Sequence, residues 1–372
     1  MAPRPYFDEQ RRVLPFDQLM QLETIDDRTF RSVTKAYAPT GSENGTYGGH
    51  VYAQAAWAAA QTVEEGFLIH NTTGWFTLGG RPSEHFVYAV HKARDGYNYC
   101  TRSVTVTQAA EKGTMFTCTC SFKREEASPV DIQDSMNIKE TYREVLDGRE
   151  NEPMEHPAAP SQDSEWFRTT YLPQHPDHFN PIGGLHLRKV HMAKYNKKRG
   201  PLDRRQLIFY TLRGSLPLPT APFPPKRQPF SLTREANLHA CGHLYASDRN
   251  SLFIIPNHMS LVSDYNRMAS LSHTVIFHVG IEDLIMLPEP RINHPNADPT
   301  AFDDESLPLC NIDGDGKGDK DGRKWFVQES WTTRAAGGRG LHTSRMWDYS
   351  TGIHIATTIQ DGLIRFKPGT KL

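Results

Sequence analysis

Residues 47–66 read YGGHVYAQAAWAAAQTVEEG. Two glycines open the run, and alanine dominates the rest. A helix that is apolar or small nearly all round is a buried one. Ala55, Ala58 and Ala59 carry side chains small enough to let a neighbouring sheet approach closely. Three strand-like runs come next. HFVYAVHKA (85–93) turns at RDG into YNYCTRSVTVTQ (97–108), and the loop AAEKG leads into TMFTCTCSFK (114–123). Alternation, β-branched residues and glycine turns predict antiparallel strands. Such a sheet, curled around the helix, would bury it.

The second half repeats the order. A helix is predicted over about 234–248, and strand-like runs follow at 272–280, 324–336, 340–349 and 351–366. The chain therefore reads as a helix and then an antiparallel sheet, twice, which is an α+β architecture. Residues 125–180 are rich in Pro, Asp, Glu and Ser and read as a connector with one short helix in NIKETYREVLDG. The expected division is 1–135, a connector at 136–180, and 181–372. PLPTAPFPPKRQP (217–229) is a second proline-rich loop, and 293–323 an insertion between strands.

The totals agree with two domains. At 372 residues the chain is long for a single core. With 42 basic and 43 acidic residues it has no broad electrostatic footprint for nucleic acid or membrane. Five cysteines without disulfide spacing predict reduced thiols. No apolar run reaches the roughly 20 residues of a membrane span, and MAPRPYFDEQRR has no signal-peptide core. The last residues, GTKL, approach the Ser-Lys-Leu peroxisomal address with Thr370 in place of serine. A peroxisomal location is expected from this, and otherwise a cytoplasmic one.

Several motifs are set aside. An EF-hand loop begun at Asp313 would place lysines at 317 and 324, where acidic or amide ligands belong. His239 and His243 have a zinc-like spacing but lack the HExxH glutamate and a third ligand, and are expected to pack within the helix. Cys118 and Cys120 are expected on one core-facing side of a strand. There is no GxSxG elbow, GxGxxG or Walker pattern. No metal or redox cofactor is implied.

Asp248 stands out. Leu238, Cys241, Leu244 and Tyr245 recur at helical spacing, and the next position on that stripe is Asp248. Either it caps the turn SDRN or its carboxylate points into a site. Ser270 reads locally as a strand-entry serine. Gln360 alternates with Ile353, Ile355 and Ile359, which by itself predicts a solvated face.

YGGHVYAQAAWAA, KARDGYNYCTRSVTVTQ, NLHACGHLYASDRN, SLSHTVIFH and TTIQDGLIRF, in this order, resemble blocks of the type II acyl-CoA thioesterases. The resemblance runs from about Tyr47 to Phe366. It implies a tandem (double) hotdog fold, with two antiparallel sheets each wrapped around a central helix. It implies hydrolysis of acyl-CoA to a free acid and coenzyme A, in fatty acid or lipid metabolism. It also implies a catalytic trio at Asp248, Ser270 and Gln360, and a homodimer or homotetramer. The chain departs from the family at His50, at Ala53-Gln54 and in FTLGGRP (76–82), which bears on the acyl tunnel.

Thioester hydrolysis needs a held water, a group that takes its proton, and donors for the oxyanion. Burial should raise the pKa of Asp248, and Ser270 and Gln360 would hold the water. Direct attack by Asp248 through an anhydride is the second route. Arg94, Arg102, Arg334 and Arg339 are available for coenzyme A phosphates. The alternatives are a non-catalytic acyl-CoA binder and a thioesterase dedicated to a specialised biosynthetic acyl-CoA. A hotdog hydratase is disfavoured, since no helix-adjacent Asp/His pair is seen.

Overall fold

The structure is a computed structural model and describes residues 14–36, 45–110, 113–134, 136–146, 173–174, 182–217, 219, 232–249, 251–261, 264–286 and 324–370. The predicted loop at 217–229 and the insertion at 293–323 fall almost wholly outside these residues, as do Lys371 and Leu372.

Gly48–Ala60 forms the first central helix, and all of it is buried except Gly48 and Trp57, which are half-buried. Ala236–Ser247 forms the second, and every residue of it is buried. The first helix is small and apolar nearly all round and has nowhere to go but inside a sheet, while the polar stripe of the second, His239, His243 and Ser247, is hydrogen-bonded within the interior.

The described strands are β1 (Leu22–Thr24), β2 (Thr29–Ser32), β3 (Phe67–Phe76), β4 (Val87–Asp95), β5 (Tyr99–Thr107) and β6 (Phe116–Arg124) in the first half. The second half holds β7 (Leu185–Lys189), β8 (Gln206–Leu212), β9 (Tyr265–Phe277), β10 (Phe326–Ala336), β11 (Arg339–Asp348) and β12 (His354–Phe366). They lie in the order β1-β2-β4-β5-β6-β3-β9-β12-β11-β10-β8-β7. All pairings are antiparallel.

The two expected sheets are thus joined edge to edge through β3 and β9. Asn71 pairs with Ile276 and Trp75 with Ser272. The join removes the exposed edge that each half would otherwise present. Asn237 of the second helix reinforces it from the inside. Its Oδ1 accepts the Ile69 N–H at 2.8 Å, and its Nδ2 donates to the Phe67 carbonyl at 3.0 Å. It satisfies backbone where the β3–β6 register shifts, between Ile69 and Asn71.

The helices pack against each other under this sheet, in one continuous core. A second cluster lies on the outer face of the β8–β10–β11 region. There Ile138, Tyr142 and Val145, from the predicted short helix, cover Leu207, Phe209, Val327 and Trp347. That helix is two short pieces, Ile138–Thr141 and Arg143–Leu146.

The sequence reading did not include β1, β2, β7 or β8, each of which precedes the central helix of its half, and it differs at two further strands. β3 has a mixed pattern, FLIHNTTGWF, and was not among the predicted strands. β9 begins at Tyr265, so Ser270 lies within the strand and not at its entry.

Candidate active site

The second helix ends at Ser247, and Asp248 is the first residue past it. Its carbonyl accepts from the Ser251 N–H and hydroxyl. The side chain does something else. Its Oδ2 accepts the backbone N–H of Gly49 at 2.8 Å. Gly49 sits in the first turn of the first helix, where backbone N–H groups have no partner within the helix. A carboxylate from one half therefore meets the positive helix end of the other.

Both opening glycines are required by this contact. A Cβ at Gly48 would stand 2.8 Å from Asp248 Oδ2 and 3.0 Å from the Phe76 ring. A Cβ at Gly49 would stand 2.6 Å from the Tyr245 carbonyl oxygen.

The other carboxylate oxygen meets β12. Gln360 Nε2 donates to Asp248 Oδ1 at 2.6 Å and to Ser270 Oγ at 2.8 Å. These two bonds use both amide hydrogens. The reverse amide orientation would set Oε1 against a carboxylate, so the network fixes the assignment. Ser270, having accepted from Gln360, keeps its own hydroxyl hydrogen to donate. Gln360 Oε1 is buried and meets no protein donor.

The burial of Gln360 corrects the solvated face predicted for it. Gln360 is 0 % exposed, while Ile359 is 44 % exposed. The reason is a β-bulge. Met346 pairs with Ala356 but Trp347 pairs with His354, which leaves Ile355 as an extra residue. Side chains past a bulge change faces. A second bulge lies at Leu271, since Asp361 pairs with Ser272 and Gly362 with Ser270. It turns Ser270 toward the face that His273 and Val275 line, and so toward Gln360.

Asp248 is only 8 % exposed. Burial pushes its carboxyl up from 3.8 to about 6, against the opposing pull of Gln360, Gly49, Ser251 and the charge of Arg249. Next to Gln360 across the sheet lies His273, whose Nε2 is 2.7 Å from Ser247 Oγ. Ser247 gives its hydrogen to the Leu244 carbonyl at 2.7 Å. His273 must therefore donate from Nε2, which leaves Nδ1 as an acceptor. Burial pushes this imidazole down to about 3, so it is neutral.

The structure thus brings Asp248, Ser270 and Gln360 together. It assigns the other candidates to the scaffold or the surface. His239 meets the Pro217 carbonyl and the Met286 N–H, and His243 meets Tyr210 and the Leu284 carbonyl. Cys118 and Cys120 are both buried, with sulfurs 3.8 Å apart. Arg102 is tied to Thr62, Asp95 and the Arg94 carbonyl, and Arg339 to Asp361. Arg94 and Arg334 are exposed. His50 is buried against Phe86 and Tyr245. Among the described residues no cluster of His, Cys, Asp or Glu could hold a metal ion, and no helix is long and apolar enough to cross a membrane.

Gly49 and Ser251 are members of the site that the sequence reading missed. The paired glycines at a helix start were the available signal for the first. Ser251 had none beyond its place three residues after Asp248.

A profile of the acyl-CoA thioesterase N-terminal domain matches residues 37–123. Rat acyl-coenzyme A thioesterase 8 is 24% identical over 357 residues, covering 94% of this chain and 88% of the rat protein. Acyl-CoA thioesterase 2 of Haemophilus influenzae is 23% identical over 362 residues, covering 94% and 96%. Over nearly its whole length the chain is similar to acyl-CoA thioesterases. Its fold is shared with solved hot dog structures. The acyl-CoA thioesterase II TesB2 of Mycobacterium marinum superposes with a TM-score of 0.56 at 20% identity, covering 96% of this chain and 99% of that one. A hot dog protein from Alicyclobacillus acidocaldarius gives 0.55 at 16% identity, covering 94% and 97%. The tandem hotdog expected from the sequence is the fold of this chain.

Proposed function

We propose that the chain hydrolyses acyl-CoA thioesters to free acid and coenzyme A, with Asp248 as general base. The observation that carries this is the shared hydrogen-bond cluster of Asp248, Gln360 and Ser270 at the N-terminus of the opposite half's helix.

The roles follow from the hydrogen-bond inventory. A base working near neutral pH needs a pKa near that pH, and a carboxyl raised to about 6 meets the need. Gln360 Oε1 accepts a hydrogen from the attacking water while Asp248 takes the other. Ser270 O–H donates to the water or to the oxyanion. The proton passes from Asp248 to the departing thiolate. Water attack is preferred to an anhydride because both carboxylate oxygens are already held by donors, which lowers their nucleophilicity.

The chain is read as two units, 1–135 and 181–372, with 136–180 between them. A homodimer or homotetramer and a peroxisomal location belong to the same proposal. Light scattering tests the first, and imaging of a fluorescent fusion that keeps the Thr-Lys-Leu end tests the second.

The direct test is release of free coenzyme A, followed with a thiol reagent, over short, medium and long acyl-CoAs. Turnover of any of them supports the reading. Saturable binding without turnover would replace it with a binding protein.

A further inference from the structure

The outer face of the second half carries a row of arginines. Arg267 on β9 stands directly opposite Arg365 on β12. Arg339 on β11 pairs with Leu363, two residues before Arg365, and Arg334 on β10 pairs with Leu341, two residues after Arg339. Residues two apart share one face of a strand. The four therefore lie side by side on four neighbouring strands, and all four are exposed.

Like charges directly opposite one another destabilise a sheet, and this row has few acids to offset them. Asp361 pairs with Arg339 at 2.9 Å. Among the described residues no acidic side chain pairs with Arg267, Arg334 or Arg365. Lys367, just past β12, adds a positive charge, and Asp264, just before β9, a negative one. Arg365 is also held in place. Its Nη1 donates to the Gly338 carbonyl at 2.8 Å. Gly337 and Gly338 turn there with φ of 61° and 71°, and a side chain at Gly338 would run into Arg365 Nη1.

The row begins beside the catalytic cluster. The pairing of β3 with β9 ends at Trp75 and Ser272, while β9 runs back to Tyr265. The stretch of β9 that carries Ser270 therefore has no β3 partner, and Ser270 is half-buried. Arg267 lies three residues from Ser270 on this stretch, about 10 Å along the strand.

We propose that this row binds the phosphates of coenzyme A. The proposal rests on the thioesterase reading above and concerns the part of the substrate that the catalytic cluster does not hold. A substrate with its thioester at Asp248 leaves over the edge of β9 and meets Arg267, Arg365 and Arg339 in turn. Its pantetheine arm is uncharged and spans the gap. Its pyrophosphate and ribose phosphate then face guanidinium groups, which bind phosphate oxygens in pairs. Three strand spacings make the row roughly 14 Å long, room for both phosphate groups. The other two candidate arginines do not suit the task. Arg102 is occupied by Thr62 and Asp95, and Arg94 stands on β4, with β5, β6 and β3 between it and β9.

The test compares an acyl-CoA with the matching acyl-pantetheine thioester, which lacks the phosphates. It uses wild type, Arg267→Ala/Arg365→Ala and, as a control, Arg94→Ala. In the double variant the ratio of kcat/KM for acyl-CoA to that for acyl-pantetheine should fall about tenfold or more, through KM for acyl-CoA. Arg94→Ala should keep the wild-type ratio. Calorimetric binding of adenosine 3′,5′-bisphosphate reads the same row without turnover. Wild type should bind it, more weakly as salt rises, and the double variant should lose that binding. An unchanged ratio, with equal binding of the bisphosphate by wild type and double variant, overturns the proposal and leaves the thioesterase reading standing. Bisphosphate binding that the double variant loses, with no hydrolysis of any thioester, overturns the thioesterase reading and keeps the phosphate site. Binding to phosphatidylserine vesicles that the double variant loses, with an unchanged ratio, assigns the row to a membrane surface and overturns the proposal.

Discussion

Asp248 and Gln360 are 112 residues apart in sequence and 2.6 Å apart in the structure, a carboxylate held by an amide whose second hydrogen goes to Ser270. The geometry makes Gln360 the hinge of the cluster. Gln360→Ala should lower kcat on the order of a hundredfold, the cost of one positioned donor. The steady-state rate, beside a circular dichroism spectrum that shows the fold intact, checks this.

The pH profile follows from the charge state. Hydrolysis needs the Asp248 carboxylate, so kcat should rise with pH through about 6 and then level off. Gln360 favours the charged form through its hydrogen bond. In Gln360→Ala the acidic limb should therefore move to higher pH. A limb that stays in place would deny the amide its hold on the carboxylate.

Much of this was legible in the sequence, for identifiable reasons. The buried helices announced themselves through composition, and β4–β6 and β9–β12 through alternation; β1, β2, β7 and β8 did not. The join at β3 did not, because FLIHNTTGWF mixes polar and apolar residues around a register shift. Gln360 was misread locally because a strand's period carries no mark of a bulge. Ile355 looks like any other isoleucine, yet it reverses the faces beyond it. The family blocks located Gln360 where periodicity had put it on the wrong side. Gly49 acts through its backbone, and the paired glycines at the helix start are its one mark in the sequence.

Gly48→Ala tests the close approach of the two halves. The added methyl would press on Asp248 Oδ2 and Phe76. Overpacking of this kind costs roughly 1–3 kcal/mol, so a lowered Tm is expected. The displaced carboxylate should cost more in activity than in stability. Thermal denaturation and kcat, measured together, separate the two effects.

Asn237→Ala tests the join of the two half-sheets. It removes the partners of the Ile69 N–H and the Phe67 carbonyl. Two buried groups left unmet should destabilise the chain by roughly 2–6 kcal/mol. Urea denaturation reads this. A change within experimental error would mean that β3 and β9 need no support from the helix.

The central claim is that Asp248 takes the proton from the attacking water. The most direct measurement is coenzyme A release by wild type and by Asp248→Asn on the same acyl-CoA, with folding of both verified. General-base catalysis is worth about a hundredfold to ten thousandfold, and a loss in that range is the predicted result. Asp248→Asn turning over at the wild-type rate would contradict the account.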